Sequence, residues 1–340
     1  MILILAEDHD VSATLVESRL RERGHQVVRF NTSRFPAHAD LSISYSPHGR
    51  SGAVLRDGDT IIDLEKISAV WFRAAPPSIP HEVIADNASR EAIAEESRVA
   101  LLDAWHAVGC RWLPGTIQAV RDGQLKLRQL SLAGEIGFEL PPTLLTTNPD
   151  DLLAFYSAHD GKIISKLADL GFHKTLGREF ARYTEVVTRR DIMHAEAVRY
   201  CPMIYQAYVP KRLELRVTVV GAQVFAAEIR SQASNRTRHD WRRYDDGATT
   251  YAPHDLPDDI RRACLALTRR LGLCYGAIDL ILTPDGRYVF LEINPAGQFG
   301  WIEQATGLPI SDAICDVLAR GPLPVGITQL ASPQHVGGDL

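Results

Sequence analysis

Cysteine is scarce and unpaired by spacing, with five residues at 110, 201, 264, 274 and 315, no CxxC and an odd count. That pattern argues against a disulfide framework or a thiolate zinc site and fits reduced thiols in a cytoplasm. Long hydrophobic runs are also missing. "MILILAEDHD" is apolar for about five residues before acids arrive, too short for a signal h-region or a membrane span. There is no excess of basic charge: 37 Lys and Arg stand against 42 Asp and Glu, for a formal net charge of -5. Nucleic acid is therefore not the expected partner. The 12 histidines form no HExxH, so metalloprotease chemistry is unsupported, and no Ser-His-Asp arrangement is visible. A glycine-rich turn after the first strand is absent too. Its place is taken by "AEDHD", whose acids would repel a pyrophosphate, so a nucleotide would bind elsewhere.

What is present suits a large core. The chain has 340 residues, 45% hydrophobic and 23% charged, enough for two or three packed units. "MILILA", the amphipathic "DVSATLVESRLRERG" and "HQVVRF" predict a β-α-β opening that stops its helix at Gly24. "LSISYSPHGRSGAVLRDGDTIIDLEKISAVWFR" alternates and turns like short antiparallel strands, with a hairpin signal at Asp57-Gly58. The segment "HEVIADNASREAIAEESRVALLDAWHAVG" predicts a long helix, and "WLPGT" marks the end of a first domain at 1–120. Beyond it come a helix, a Pro-rich strand, and a second helix capped by Asn148 or Asp150. "GKIISKLA" predicts a strand, and "MIYQAYVPKRLELRVTVVGAQVFAAEIR" a strand ladder.

The sharpest feature is "YGAIDLILTPDGRYVFLEIN". A two-residue turn at Asp285-Gly286 sets Asp279 opposite Glu292, where like charges destabilise unless something offsets them. Period two adds Asn294 to the face of Glu292 and sends Leu291 and Ile293 to the other. Two carboxylates and an amide oxygen on one face suit a hard cation such as Mg²⁺, although a solvated polar face on an antiparallel hairpin fits the pattern equally well. Lys166 sits inside an apolar strand, where an ammonium is costly without an anionic partner. Lys126, on a helix, is either solvated or a second phosphate ligand. Glu214 and Arg216 share a strand face and Arg230 ends the next strand, arranged as cross-strand pairs or as a phosphate and ribose site. Arg73, beside Trp71 and a run of prolines, either binds peptide or packs under a turn.

Taken together, the strand lysine, the "QAYV" hinge, "ELR" and the final "D…EIN" resemble the ATP-grasp carboxylate ligases over nearly the whole chain. More narrowly, "VWFR", "YQAYVPK", "ELRVTVVG", "DWRRYD" and "LEINPAGQFGWIEQATGLPI" are similar to the ATP-grasp peptide maturases, the graspetide synthetases of microviridin type. The resemblance implies an α/β (α+β) ATP-grasp fold with an N-terminal pre-ATP-grasp domain and a nucleotide held between two α+β subdomains. Its parts would be 1–120, a central subdomain 121–204, a C-terminal subdomain 205–325 with the metal site, and a loose tail 326–340.

Residue by residue, the resemblance implies that Lys126 and Lys166 contact ATP phosphates, and that the backbone from Gln206 through Ala207 and Tyr208 to Val209 reads adenine. Glu214 would hold ribose. Asp279, Glu292 and Asn294 would ligate Mg²⁺, with Arg216 and Arg230 facing the γ-phosphate and the acyl phosphate. Ala207 stands where an acid is common in the family. The loop "SQASNRTRHDWRRYDDG", with Arg236, Trp241 and Arg242, would lie over the site and, with Arg73, meet an acidic core peptide. The implied activity is acyl-phosphate formation on Asp or Glu side chains of a leader-bearing ribosomal precursor peptide, then ester or amide ring closure, in a cytoplasmic enzyme expected to form homodimers. Two rivals stand beside it: a ligase acting on a small molecule or protein tail, and a catalytically silent peptide-binding module.

Overall fold

The structure is a computed structural model and describes residues 1–73, 75–167, 172–175, 178–181, 184–231 and 249–320. Near the N-terminus lie β1 (Ile2–Leu5), α1 (Val11–Glu22), β2 (Val27–Phe30), β3 (Ala39–Ser46), β4 (Gly49–Asp57), β5 (Thr60–Asp63), β6 (Ala69–Phe72), α2 (Asn87–His106) and β7 (Arg111–Leu113). The expected β-α-β unit is there. β2, β1, β6 and β7 form a parallel sheet, and β3, β4 and β5 an antiparallel one. Alternation divides β1 between two cores. Ile2 and Ile4 pack under α1, whereas Leu3 and Leu5 pack with Trp105 of α2 and Leu55 of β4. α1 starts where Asp10 accepts from Ala13 N at 2.7 Å, an N-cap that satisfies one orphan donor. α2 begins at its own cap, Asp86, several residues later than the sequence pattern suggests.

The chain continues through α3 (Ile117–Gly123), α4 (Lys126–Ile136), β8 (Thr143–Thr146), α5 (Pro149–Ala158), β9 (Ile163–Lys166), β10 (Phe172–Thr175), β11 (Arg178–Ala181), β12 (Glu185–Val186), α6 (Arg189–Met193) and β13 (Met203–Ala207). Asn148 caps α5. β12, β9, β13 and β8 make a four-stranded antiparallel sheet. The remaining elements are β14 (Leu213–Val220), β15 (Gln223–Ile229), β16 (Tyr251–Pro253), α7 (Asp258–Arg270), β17 (Tyr275–Leu282), β18 (Tyr288–Asn294), α8 (Gly300–Thr306) and α9 (Ile310–Ala319). The five strands run in the order β16-β15-β14-β17-β18.

One face of this five-stranded sheet is apolar and buried. Leu215, Val217, Ile278 and Leu280 pack there against Leu267 of α7 and Ala133 of α4. The opposite face is divided. Ala227 and Tyr275 join Ile4, Val16 and Leu20 of the N-terminal layer, with Ile314 and Leu318 of α9, in one continuous core. The polar remainder of that face looks across to the four-stranded sheet. Among the described residues no helix is long and apolar enough to cross a membrane.

The two-residue turn expected at Asp285-Gly286 is not formed. Thr283 N donates to Arg287 O and Gly286 N to Thr283 O, both at 3.0 Å, with Gly286 at φ 87°. This is a three-residue hairpin: Pro284 presets the type I turn and Gly286 takes the left-handed position. Its register gives Leu280↔Phe290, one residue off the expected pairing, until a bulge between Asp279 and Leu280 restores Asp279↔Glu292. The bulge leaves Leu291 without a register partner and outside the apolar core that takes Phe290 and Ile293.

Candidate active site

A cleft with about 750 Å³ of unfilled space lies between the two antiparallel sheets. From the four-stranded side it receives Lys166 of β9 and the segment from Gln206 to Val209 at and beyond the end of β13; from the five-stranded side it receives Glu214, Asp279 and Glu292. Direct cross-strand pairing explains the second group. Arg216↔Asp279 and Asp279↔Glu292 are register partners, and opposed residues share a face.

Each acid in the cleft holds a cation. Glu292 Oε2 lies 2.5 Å from Lys126 Nζ at the start of α4. Asp279 receives Arg216 Nη1 at 2.9 and 3.0 Å, one nitrogen straddling both oxygens. Burial works against the Arg216 charge, but the adjacent Asp279 outweighs it and holds the guanidinium above its ordinary range. Glu214 Oε1 is 2.6 Å from Lys211 Nζ, with the two side chains 7% and 4% exposed. Burial pushes the Glu214 carboxyl up, and Lys211 opposes that rise. Its Oε2 is buried with no hydrogen-bond partner among the described residues. Lys211 is a residue that sequence reasoning missed. Its signal was its place three residues before Glu214 in "KRLE".

The hinge offers less backbone than expected. Ala207 N donates to Pro142 O and Tyr208 N to Lys162 O, at 2.9 and 2.8 Å. Val209 supplies the hinge N–H left without a partner among the described residues. The Gln206 side chain is buried and donates to Thr143 Oγ1 at 2.9 Å, so it braces β8.

The segment following β18 folds back over the sheet beside Ala277 and Arg216. Asn294 Oδ1 accepts from Ala296 N at 3.1 Å, and Tyr275 OH donates to Gly297 O at 2.6 Å. Burial pushes the Tyr275 phenol up to about 12. Arg73, expected at a peptide-binding position, is only 3% exposed. Its Nη1 donates to Ala296 O at 2.9 Å and its Nη2 lies 3.4 Å from Asp10, so it braces this segment from the N-terminal layer and does not face solvent.

Arg230 is the other departure. Its side chain is 61% exposed and pairs with Glu228, and it does not line the cleft. Glu228 lies opposite Leu215, a residue of the face turned to α7, so Arg230 follows the strand's alternation away from Arg216. Arg236, Trp241 and Arg242 lie outside the described residues, as does the 326–340 tail.

Asp279, Glu292 and Asn294 are the candidate donors for Mg²⁺. Among the described residues no group of three or more His, Cys, Asp or Glu side chains converges. Asp279 and Glu292 nevertheless stand in register with Asn294 on their face, and two carboxylates plus an amide oxygen suit a cation that also takes substrate phosphates. The residues fit.

Residues 1–121 match the MvdD pre-ATP grasp domain, and residues 126–318, more than half of the chain, match the RimK-like ATP-grasp domain. The chain belongs to the RimK-like ATP-grasp family. Within that ATP-grasp family, it is similar to the macrocyclase MdnC of Microcystis aeruginosa MRC, solved bound with precursor peptide MdnA, at 33% identity over 93% of this chain and 98% of that one, with a TM-score of 0.83. It is also similar to a RiPP-associated ATP-grasp ligase of Chryseobacterium gregarium, solved with ADP and a leader and core peptide: 32% identity, 93% and 96% coverage, TM-score 0.84. Among curated proteins it resembles mouse N-acetylaspartylglutamate synthase A at 23% identity, spanning 69% of this chain and 60% of the mouse protein. A probable alpha-L-glutamate ligase of Stenotrophomonas maltophilia (strain R551-3) is 27% identical over 64% of this chain and 72% of its own.

Proposed function

We propose that this ATP-grasp ligase is a peptide macrocyclase: it activates Asp or Glu side chains of a ribosomal precursor peptide as acyl phosphates and closes ester or amide rings with Ser, Thr or Lys of the same peptide. The observation that carries the reading is a cleft floor with Asp279 opposite Glu292, in a chain aligned over 93% of its length with ligases solved on precursor peptides.

Lys126 and Lys166 hold phosphate oxygens. Val209 N–H and the hinge carbonyls read adenine, and the buried carboxylate of Glu214 accepts from a ribose hydroxyl. Asp279, Glu292 and Asn294 are the oxygen donors for Mg²⁺, which when bound supplies positive charge to the phosphates. Arg216 neutralises charge on the transferred phosphoryl group. A peptide carboxylate oxygen attacks the γ-phosphorus and the bond to ADP breaks. A hydroxyl or amine of the peptide then attacks the acyl carbon, phosphate departs, and the nucleophile's proton leaves to that phosphate or to a nearby carboxylate. Positioning and charge neutralisation supply most of the acceleration.

The second reading, transfer of an amino acid to a small molecule or a protein tail, is favoured by the glutamate-ligase relatives. Mass spectrometry of a co-expressed acidic precursor separates the two. A ring removes one water, whereas amino-acid addition raises the mass. An unchanged mass for every Ser-, Thr- or Lys-containing acidic partner, with no peptide-stimulated ADP release, would sink the macrocyclase. ATP as donor and five free thiols support a cytoplasmic setting. A homodimer is part of the proposal, and a monomer mass by light scattering would remove it.

A further inference from the structure

Gln129 has no role in the chemistry above, yet its side chain is nearly sealed off at 1% exposure. Its Nε2 donates to Gly123 O at 2.6 Å and to Ile293 O at 2.8 Å, and its Oε1 accepts from Ile293 N at 3.0 Å. β18 is the outer strand of its sheet. The carboxamide therefore gives Ile293 the donor and acceptor that a further strand would give, at one residue only.

That residue is well placed. Ile293 packs into the apolar core under α7, and its two neighbours Glu292 and Asn294 lie on the other face, Glu292 lining the cleft and Asn294 bonded to Ala296 N. Pinning the Ile293 peptide groups fixes the direction of both. Just before it the bulge at Leu291 interrupts the ladder to β17, which weakens the inner support where it is most needed. Gln129 also sits three residues after Lys126 on α4, on the same face, so the clamp sets the reach of Lys126 to Glu292.

We infer that Gln129 is a positioning residue: it holds Glu292 toward the cleft with Asn294 on the same face, and fixes the spacing between Lys126 and Glu292, so that metal and phosphates share one end of the site. The inference rests on the metal and phosphate roles proposed above. A purely structural buried amide would affect folding alone; a positioning residue affects metal binding while the adenine end is untouched.

The test uses the full chain, Mn²⁺ as probe and ADP, with free Mn²⁺ read by electron paramagnetic resonance. Gln129→Met keeps the volume without the hydrogen bonds, and Gln129→Glu keeps the shape while replacing the donating amide with a carboxylate. Both are expected to weaken Mn²⁺ binding in the presence of ADP by about tenfold or more, as loss of an outer-sphere support does. Metal-free ADP affinity should stay within roughly twofold, a change of about 0.4 kcal/mol. A Mn²⁺ constant within twofold of wild type in either folded variant overturns the inference. So does an equal loss of metal-free ADP binding, or failure of both variants to fold, since Gln129 would then be holding the sheet and not the site. If the wild type binds Mn²⁺ with ADP, the variants lose it, and no peptide is ever cyclised, the macrocyclase reading fails while this one stands.

Discussion

Replacing Lys211 by Met should make stability fall increasingly as pH rises. Lys211 and Glu214 are buried together, 4% and 7% exposed, with Nζ and Oε1 2.6 Å apart. Removing one partner of such a pair strands a charge and costs about 3–5 kcal/mol unless the charge is given up. Glu214 can give it up, since burial already raises its carboxyl and Lys211 is the main influence pulling it back. A carboxyl raised in the folded state contributes stability that is present below its unfolded value and lost as pH rises through its folded value. In Lys211→Met the folded value climbs further, and each unit is worth about 1.4 kcal/mol. Urea unfolding at pH 8 should then show a deficit of roughly 3 kcal/mol against wild type, shrinking toward about 1 kcal/mol or less as pH falls to 5 and Glu214 takes up a proton in place of the lost ammonium. The affinity for ATP should fall at pH 8 and partly recover at pH 5.5. An equal deficit at both pH values would refute the argument, because the loss would then be one of packing and not of charge.

Other substitutions probe the rest of the cleft. Gly297→Ala adds a Cβ 2.4 Å from Ala277 Cβ and 2.7 Å from Arg216 Nη2; overpacking of this kind costs about 1–3 kcal/mol, and the displaced segment should lower kcat by about a hundredfold while the KM for ATP changes little. Asp279→Asn removes the anion beside buried Arg216 and should cost about 3–5 kcal/mol in urea unfolding, together with peptide-stimulated ADP release. Arg230→Ala should leave stability within about 0.5 kcal/mol and ADP release within roughly threefold of wild type, since the side chain is exposed and faces away from Arg216. A collapse of ADP release in Arg230→Ala would return that residue to the reacting groups.

Alternation made the polar face legible in the sequence. Glu214, Arg216 and Asp279 meet in the structure because cross-strand neighbours share a side, while Glu292 joins them only through the bulge. The turn itself is not legible in the same way. Pro284 imposes a longer loop, and the shift it introduces is cancelled by the Leu291 bulge, which no local pattern announces. Lys211 and Gln129 escaped notice for another reason. Lys211 has its partner Glu214 only three residues on, but the pair looks like surface until both are buried; the partner of Gln129, Ile293, lies far along the chain. Arg230 misled because a cation near the end of a strand is easy to assign to a site, while the face it takes depends on one residue of register.

The core shared by β1, α1 and α9 carries a consequence for protein engineering. Ile4, Val16 and Leu20 interlock with Ile314 and Leu318, contributed from the far end of the described chain. Exchanging the first 121 residues for those of another family member would leave this seam mismatched unless α9 travelled with them. Chimeras that exchange the N-terminal layer should therefore be cut twice, carrying that layer and the α9 helix as one module.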